Sequence, residues 1–267
     1  MRKTLRILLL MLCFVFFGIF CFAGYKLYST LHDYKAAETM YEDLNQQFVA
    51  PTQEDQKSNP EPSLNPQFFP DHDTPEVKAG DITVNFDALL AVCPNVIGWI
   101  YSPDTMISYP VVQGYDNDFY LHRFLDGTEN PSGTIFMDYL CNADFSLQNS
   151  VLYGHHMNDG SMFAELSKYK QEGYYKQHPY MYYYTPDKSY LFMIVNGFVT
   201  SAEDEVYTFS FPDDESYAAY LDRMHARSYF DSPVTVGKED HIVTMSTCSY
   251  EFDDARFVIQ AKIVPIS

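Results

Sequence analysis

The residues best suited to chemistry lie near the C-terminal end of the chain, around Cys248. An apolar run at 242–247 predicts a strand, and Cys248 stands at its end, where its sulfur can remain at the surface. Arg256 begins the next apolar run, eight residues later. If the two strands pair in antiparallel fashion, Cys248 and Arg256 lie side by side. A thiolate could then attack a carbonyl carbon while the guanidinium holds the resulting oxyanion.

Arg256 also has an ordinary explanation. The loop that joins the two predicted strands carries Glu251, Asp253 and Asp254. The guanidinium could form an ion pair with one of these carboxylates and take no part in any reaction. The residues alone leave both alternatives open.

A nucleophilic cysteine needs a partner that carries protons, usually a histidine, and the chain has eight. His155 is the best placed, because it directly follows an apolar run at 151–153 and Gly154, which permits a sharp exit from the strand. His241 begins the strand that carries Cys248, which puts it about 20 Å away along that strand. A lone histidine is more often structural, so the chemistry alone makes His155 a candidate and no more.

A metal site is the other chemistry that two adjacent histidines suggest. Neighbouring residues on a strand point to opposite faces, so His155 and His156 cannot easily share one ion. The chain also contains no CxxC or HExxH motif. The sequence therefore predicts neither a metal site nor a cofactor.

The composition limits the partners of the chain. Its formal net charge is −19 over 267 residues, and such a surface repels phosphate backbones. We therefore expect no nucleic-acid partner.

An uncharged stretch of 19 residues, 7–25, predicts a transmembrane anchor. At ~1.5 Å rise per residue this stretch can cross a hydrocarbon core of about 30 Å. Basic residues in the preceding tail, 1–6, predict a cytoplasmic N-terminus, a single pass and an extracellular remainder. A cleaved signal peptide is the alternative, but Cys21-Phe22-Ala23 is a poor cleavage site.

The rest of the chain divides into a linker and a catalytic domain. Residues 26–80 predict a juxtamembrane amphipathic helix, with apolar residues at steps of three and four up to Phe48, followed by a proline-rich spacer at 51–80. The catalytic domain is predicted from 81 to 267. Its short apolar runs alternate with a few helical segments, which favours a closed β-barrel with helical decoration. Helices are predicted at 86–93, 162–169 and 213–226, a helical turn at 116–124, and strands at 96–101, 107–112, 134–137, 150–153, 180–184, 190–199, 241–247 and 256–264.

These motifs together resemble the sortases, the cysteine transpeptidases of Gram-positive bacterial surfaces. The segment T-M-S-T-C at 244–248 is similar to the family signature T-L-x-T-C, with methionine in place of leucine. Arg256 stands where the family has its catalytic arginine, and the Y-G-H sequence at 153–155 resembles its strand-end Gly-His. The similarity extends over about residues 84–264 and is nearest to class B. The class B motifs are NVIGWI at 95–100, YPVVQG at 109–114, GTIFMD at 133–138 and GHHM at 154–157.

The resemblance implies an eight-stranded sortase β-barrel and a defined reaction. Cys248 would attack a C-terminal sorting motif of a surface protein, and a thioacyl-enzyme would form. An amine acceptor, either a cell-wall precursor or a pilin lysine, would then take the acyl group. His155 would protonate the leaving amine and deprotonate the incoming one, while Arg256 would hold the substrate and the oxyanion.

The resemblance also implies three substrate-binding residues. Asn117 and Leu121 match a class B helix that lines the substrate groove, and Ser246 matches a position that contacts the substrate. Packing or helix capping is the alternative explanation for each of them. Two other functions also remain open at this point: a secreted cysteine peptidase that only hydrolyses, and a non-catalytic surface-binding module.

Overall fold

The computed structural model describes residues 2–52 and 82–266, so the predicted spacer lies outside the described residues from 53 onward. The described residues fall into two compact units, which divide between Met40 and Tyr41.

The first unit consists of most of helix α1, Arg2–Phe48. This one helix contains both the predicted anchor and the predicted juxtamembrane helix. Its large apolar side chains, such as Phe14 and Phe20, are highly exposed. Among the described residues, it is the one helix long and apolar enough to cross a membrane, as judged from its length and composition.

The second unit begins with the last turns of α1. Tyr41, Leu44 and Phe48 are buried there, and the Tyr41 ring packs edge-on against Tyr109 at 5.1 Å. Asn45 donates a hydrogen bond to the carbonyl of Ser108 (3.0 Å). This compact unit starts well before residue 81, where the sequence placed the start of the catalytic domain, because the apolar face of the helix finds its partner in strands distant in sequence.

Eight strands form a closed barrel, which confirms the predicted fold. Their order around the barrel is β10-β8-β7-β3-β4-β5-β6-β9. The strands are β3 Val96–Tyr101, β4 Ser108–Val112, β5 Ile135–Met137, β6 Asn149–Tyr153, β7 Tyr180–Tyr184, β8 Ser189–Ser201, β9 Ile242–Cys248 and β10 Ala255–Pro265. Two further short strands, β1 Val49–Pro51 and β2 Ile82–Val84, pair with each other outside the barrel.

Aromatic side chains fill much of the barrel. Trp99 of β3 is fully buried, and so is Tyr183 of β7. The ring of Tyr183 lies so close to Gly98 that an added Cβ atom would come within 2.4 Å of it. A glycine is therefore required where this large ring crosses β3.

The helical segments decorate the barrel, as the sequence predicted. Helix α2 spans Phe86–Val92 and is capped by Asn85, whose side chain accepts from the backbone of Ala88 (3.1 Å). The others are α3 Tyr174–Gln177, α4 Asp214–His225 and three 3₁₀ helices, η1 Tyr120–His122, η2 Phe163–Lys170 and η3 Glu205–Tyr207. The helix predicted at 162–169 is therefore a 3₁₀ helix, a difference that hydrophobic spacing in so short a segment does not reveal.

Candidate active site

Cys248 and Arg256 are direct cross-strand neighbours. Strands β9 and β10 pair in antiparallel fashion, with Cys248 opposite Arg256 and Ser246 opposite Val258. Residues directly opposite one another in such a ladder project from the same face of the sheet. Cys248 is partly exposed to solvent.

Among the described residues, Arg256 forms no ion pair with a carboxylate. Its guanidinium donates to the carbonyl of Ala255 (2.9 Å). Within the described part of the chain, no ion pair involves Arg256, and Asp253 and Asp254 form none with it. The ordinary ion pair considered from the sequence is therefore absent, and the guanidinium is left for another anion.

Strand β6 brings His155 to the same place. It pairs in parallel with β9, with Tyr153 opposite Ser246, and the backbone N–H of Gly154 donates to the carbonyl of Ser246 (3.1 Å). Cys248 ends β9 two residues after Ser246, and His155 comes two residues after Tyr153, the last residue of β6. An imidazole, a thiol and a guanidinium thus lie at or just beyond the ends of three neighbouring strands.

The ring of His155 is held in one orientation. Its Nε2 lies 2.7 Å from the carbonyl oxygen of Leu121, which can only accept, so Nε2 carries the proton and Nδ1 is left to exchange one. Burial lowers the pKa of His155, and the ring of His122 at 5.9 Å lowers it further, while the bond to Leu121 acts in the opposite direction.

His156 faces a different set of groups. Its Nδ1 lies 3.1 Å from the carbonyl oxygen of Cys248 and 3.2 Å from the hydroxyl of Ser167. Its ring packs edge-on against Tyr250 at 5.4 Å, and burial is the main reason that its pKa is lowered. His156 thus contacts the backbone of the cysteine, from the side of η2.

The three predicted substrate-binding residues all form hydrogen bonds with other residues of the chain. Asn117 donates to the buried carboxylate of Asp138 (2.8 Å) and accepts from the backbone of Tyr139 (3.1 Å). Leu121 supplies the carbonyl that holds His155. Ser246 is only 2% exposed, and its hydroxyl is hydrogen-bonded to that of Tyr207 (2.9 Å).

Tyr207 is a site residue that the sequence did not reveal. It belongs to η3, its pKa is raised by burial, and its hydroxyl is hydrogen-bonded to that of Ser246, two residues before Cys248. A tyrosine in a short 3₁₀ turn carries no motif, and its distance from Ser246 in sequence hides the contact. The same is true of Asp138, which receives hydrogen bonds from both Asn117 and Tyr153.

The arrangement is suited to acyl transfer through sulfur. A thiol, an imidazole with one free ring nitrogen and a guanidinium without a carboxylate partner lie at or near the ends of neighbouring strands, and these are the groups that such a reaction needs. Within the described residues, no group of three or more His, Cys, Asp or Glu side chains is placed to hold a metal ion.

Comparisons with known proteins agree with this chemistry. The sortase domain family matches residues 100–264. Sortase B of Listeria monocytogenes is 30% identical over 255 residues, which covers 95% of each chain. A Staphylococcus aureus sortase B–substrate complex superposes with a TM-score of 0.65 at 30% identity, covering 68% of this chain and 85% of the other. A sortase B complexed with triglycine gives a TM-score of 0.65 at 31% identity, over 68% and 86%. The chain therefore belongs to the sortase family, in its class B, and is a sortase-type cysteine transpeptidase.

Proposed function

We propose that this enzyme is anchored in the membrane by α1 and cleaves a C-terminal sorting motif of surface proteins through a thioacyl intermediate on Cys248. The acyl group then passes to an amine, on either a cell-wall precursor or a pilin. The observation that supports the proposal is that β6, β9 and β10 are neighbours in the barrel, with Cys248 opposite Arg256 and His155 two residues beyond the end of β6.

The first half of the reaction forms a thioester. The thiolate of Cys248 attacks the carbonyl carbon of the scissile peptide bond, and the charge that develops on the carbonyl oxygen is stabilised by Arg256. The carbon–nitrogen bond breaks as Nδ1 of protonated His155 gives its proton to the departing amine. The C-terminal part of the substrate leaves, and the N-terminal part stays bound to sulfur.

The second half reverses these roles. The acceptor amine attacks the thioester while His155 takes up its proton, and the carbon–sulfur bond breaks to restore the thiolate. Burial lowers the pKa of His155 and so disfavours the imidazolium. The same low pKa leaves the ring ready to accept a proton in this second half.

The rest of the molecule supports the proposed location and partners. The apolar part of α1 has the length of a membrane span, and the basic residues ahead of it favour a cytoplasmic N-terminus with the barrel outside the cell. The Staphylococcus aureus substrate complex and the triglycine complex support a peptide donor and an amine acceptor for this chain as well. The acidic surface disfavours nucleic acid.

Asn117, Leu121 and Ser246 are proposed to line the substrate groove. Asn117 is only partly buried and keeps one amide hydrogen for a substrate. Ser246 and Leu121 would act mainly through the groups they hold, Tyr207 and His155.

The proposed function is tested by incubating the full chain, in detergent, with a library of sorting peptides in the presence and absence of candidate amines. We expect a new amide product when an amine is present, and no turnover by Cys248→Ala. Loss of activity in His155→Ala but not in the matched variant His225→Ala, on the exposed face of α4, would support the assigned proton carrier. Hydrolysis products alone, whatever amine is added, would instead indicate a peptidase. Full activity of Cys248→Ala would overturn the mechanism.

A further inference from the structure

A cluster of polar side chains includes the residue that directly follows Cys248, and it has no part in the mechanism above. It consists of Lys170, Ser249 and Glu251, and we call it the Lys170 cluster. Lys170 donates to the hydroxyl of Ser249 (2.8 Å) and to the carboxylate of Glu251 (2.6 Å), and Ser249 donates to the other oxygen of Glu251 (2.5 Å). Ser249, the residue after Cys248, is buried.

Lys170 reaches this position from outside the strands that carry the proposed catalytic residues. It is the last residue of η2, its ammonium lies 4.9 Å from the centre of the Phe257 ring, and its side chain is 27% exposed. The ion pair with Lys170 and the bond from Ser249 lower the pKa of Glu251 to about 2. The lowered pKa keeps the Glu251 carboxyl in its charged form, which the ion pair with Lys170 requires.

The segment that the cluster holds needs an anchor. Cys248 is the last residue of β9, and the six residues after it form a loop to β10 in which Tyr250 is 73% exposed. Asp254 closes the loop with a positive φ of 59°. A strand end that leads into an exposed loop tends to open locally unless side chains fix it. A backbone hydrogen bond from Ser249 to Ala255 (2.9 Å) spans the loop.

A second contact from the same helix acts in the same direction. Ser167, also in η2, lies within hydrogen-bond distance of His156, whose ring reaches the carbonyl oxygen of Cys248. Thus η2 contacts the peptide group of Cys248 through one pair of side chains and the next residues through another. Both contacts add to the backbone bonds that the strands themselves supply.

We propose that Lys170 is a positioning residue, which fixes the backbone of Cys248 through Ser249 and Glu251 and thereby sets the sulfur against His155. The inference rests on the proposed role of Cys248. Lys170 does not touch the substrate in this scheme, so its loss should reduce kcat and leave KM nearly unchanged. Because small displacements of a reacting atom can cost up to about a hundredfold in rate, we expect a loss of about tenfold.

The test compares Lys170→Met, which keeps the aliphatic stem over Phe257, with Lys170→Arg and the matched control Lys176→Met. Lys176 is an exposed lysine of α3. Each full-length variant is assayed in detergent with the sorting peptide that the unmodified chain turns over fastest. Lys170→Met should lower kcat about tenfold and slow the alkylation of Cys248 by iodoacetamide, followed peptide by peptide in a mass spectrometer. Lys170→Arg should restore most of both rates, and Lys176→Met should change neither.

A second variant separates positioning from simple loss of folding. Glu251 is exposed, so Glu251→Gln should leave the chain folded, which a melting curve would show. If the two residues act as one cluster, adding Glu251→Gln to Lys170→Met should cause almost no further loss. An unaltered kcat in Lys170→Met, or additive losses in the double variant, would overturn the inference. If the unmodified chain itself turned over no sorting peptide, the proposed function would fail instead.

Discussion

At the scale of a single side chain, the role proposed for Arg256 depends on the shape of its cation as much as on its charge. A guanidinium presents several N–H donors in a fixed plane, whereas an ammonium is a compact point charge. Its freedom from the neighbouring carboxylates leaves that plane available for a developing oxyanion. We expect Arg256→Lys to lower kcat by about a hundredfold, within the range seen when one oxyanion donor is removed.

Steady-state kinetics with a sorting peptide and an amine would measure this effect. Arg223→Lys is the matched control, because Arg223 is exposed on α4 and pairs there with Glu205. A rate for Arg256→Lys close to that of the unmodified chain would show that the charge alone is sufficient.

His122 offers a test of the electrostatics around His155. Its ring lies 5.9 Å from that of His155 and, when protonated, disfavours a second positive charge there. His122→Gln should therefore raise the pKa of His155 and move the limb of the pH–rate profile that reports this ring to higher pH. An NMR titration of the His155 ring in the Cys248→Ala background would measure the shift. In the control His225→Gln, the pKa of His155 should stay constant. A pKa of His155 that stays constant or falls in His122→Gln would contradict the assigned cause.

The residues that the sequence could identify are those at strand ends. Cys248 and His155 each follow a clear apolar run and Arg256 begins one, so local pattern alone placed them at strand ends, and the resemblance supplied their roles. The choice between His155 and His156 needed the resemblance, since adjacent histidines are alike in type. Tyr207, Asp138 and Lys170 could not be found in this way, because each reaches the site through a contact between segments far apart in sequence.

At the scale of elements, the end of β6 packs closely against its neighbours only because Gly154, the next residue, has no side chain. An added Cβ atom at Gly154 would lie 2.4 Å from Ile135 and 2.7 Å from the ring of Phe163, which is fully buried. Gly154→Ala should therefore destabilise the fold by about 1–3 kcal/mol, the usual cost of overpacking a core. The sequence indicated a sharp exit from the strand at Gly154, but not that a ring of η2 packs against it.

Urea denaturation would measure this cost. Gly237→Ala is the control, because an added Cβ atom there would meet only Asp240 at an ordinary 3.6 Å, and a change within about 0.5 kcal/mol is expected. Equal stability of the two variants would show that Phe163 and Ile135 move aside freely. If Gly154→Ala loses activity under conditions in which it is still folded, displacement of His155, the next residue, would explain the loss.

The strands were predictable because their apolar runs are long and rich in β-branched and aromatic residues. Their pairing was not, since neither the parallel pair β6–β9 nor the closure of β10 on β8 joins consecutive strands. The resemblance to a known family supplied what the local pattern could not. Helix η2 shows the same limit, because its helical character was evident and its 3₁₀ geometry was not.

At the scale of the whole molecule, the last turns of α1 belong to the barrel unit. Tyr41, Leu44 and Phe48 are buried in it, and the Tyr41 hydroxyl donates to the carbonyl of Gly133. An added Cβ atom at Gly133 would lie 2.4 Å from the carbonyl oxygen of Leu121, the group that holds His155. The end of α1 therefore packs against the segment around Gly133, which contacts the Leu121 carbonyl that holds His155.

Two truncated chains would test whether this support is energetic. A chain of residues 41–267 keeps the three buried side chains, and a chain of 82–267 loses them. Since burying one such side chain contributes about 1.5–3 kcal/mol, the shorter chain should be less stable to urea by at least ~3 kcal/mol. The loss of packing behind Gly133 should also lower the kcat of the shorter chain, while its KM should change less. Equal stability and equal kcat in the two chains would mean that the barrel is complete without α1, and that the catalytic domain starts where the sequence first placed it, at residue 81.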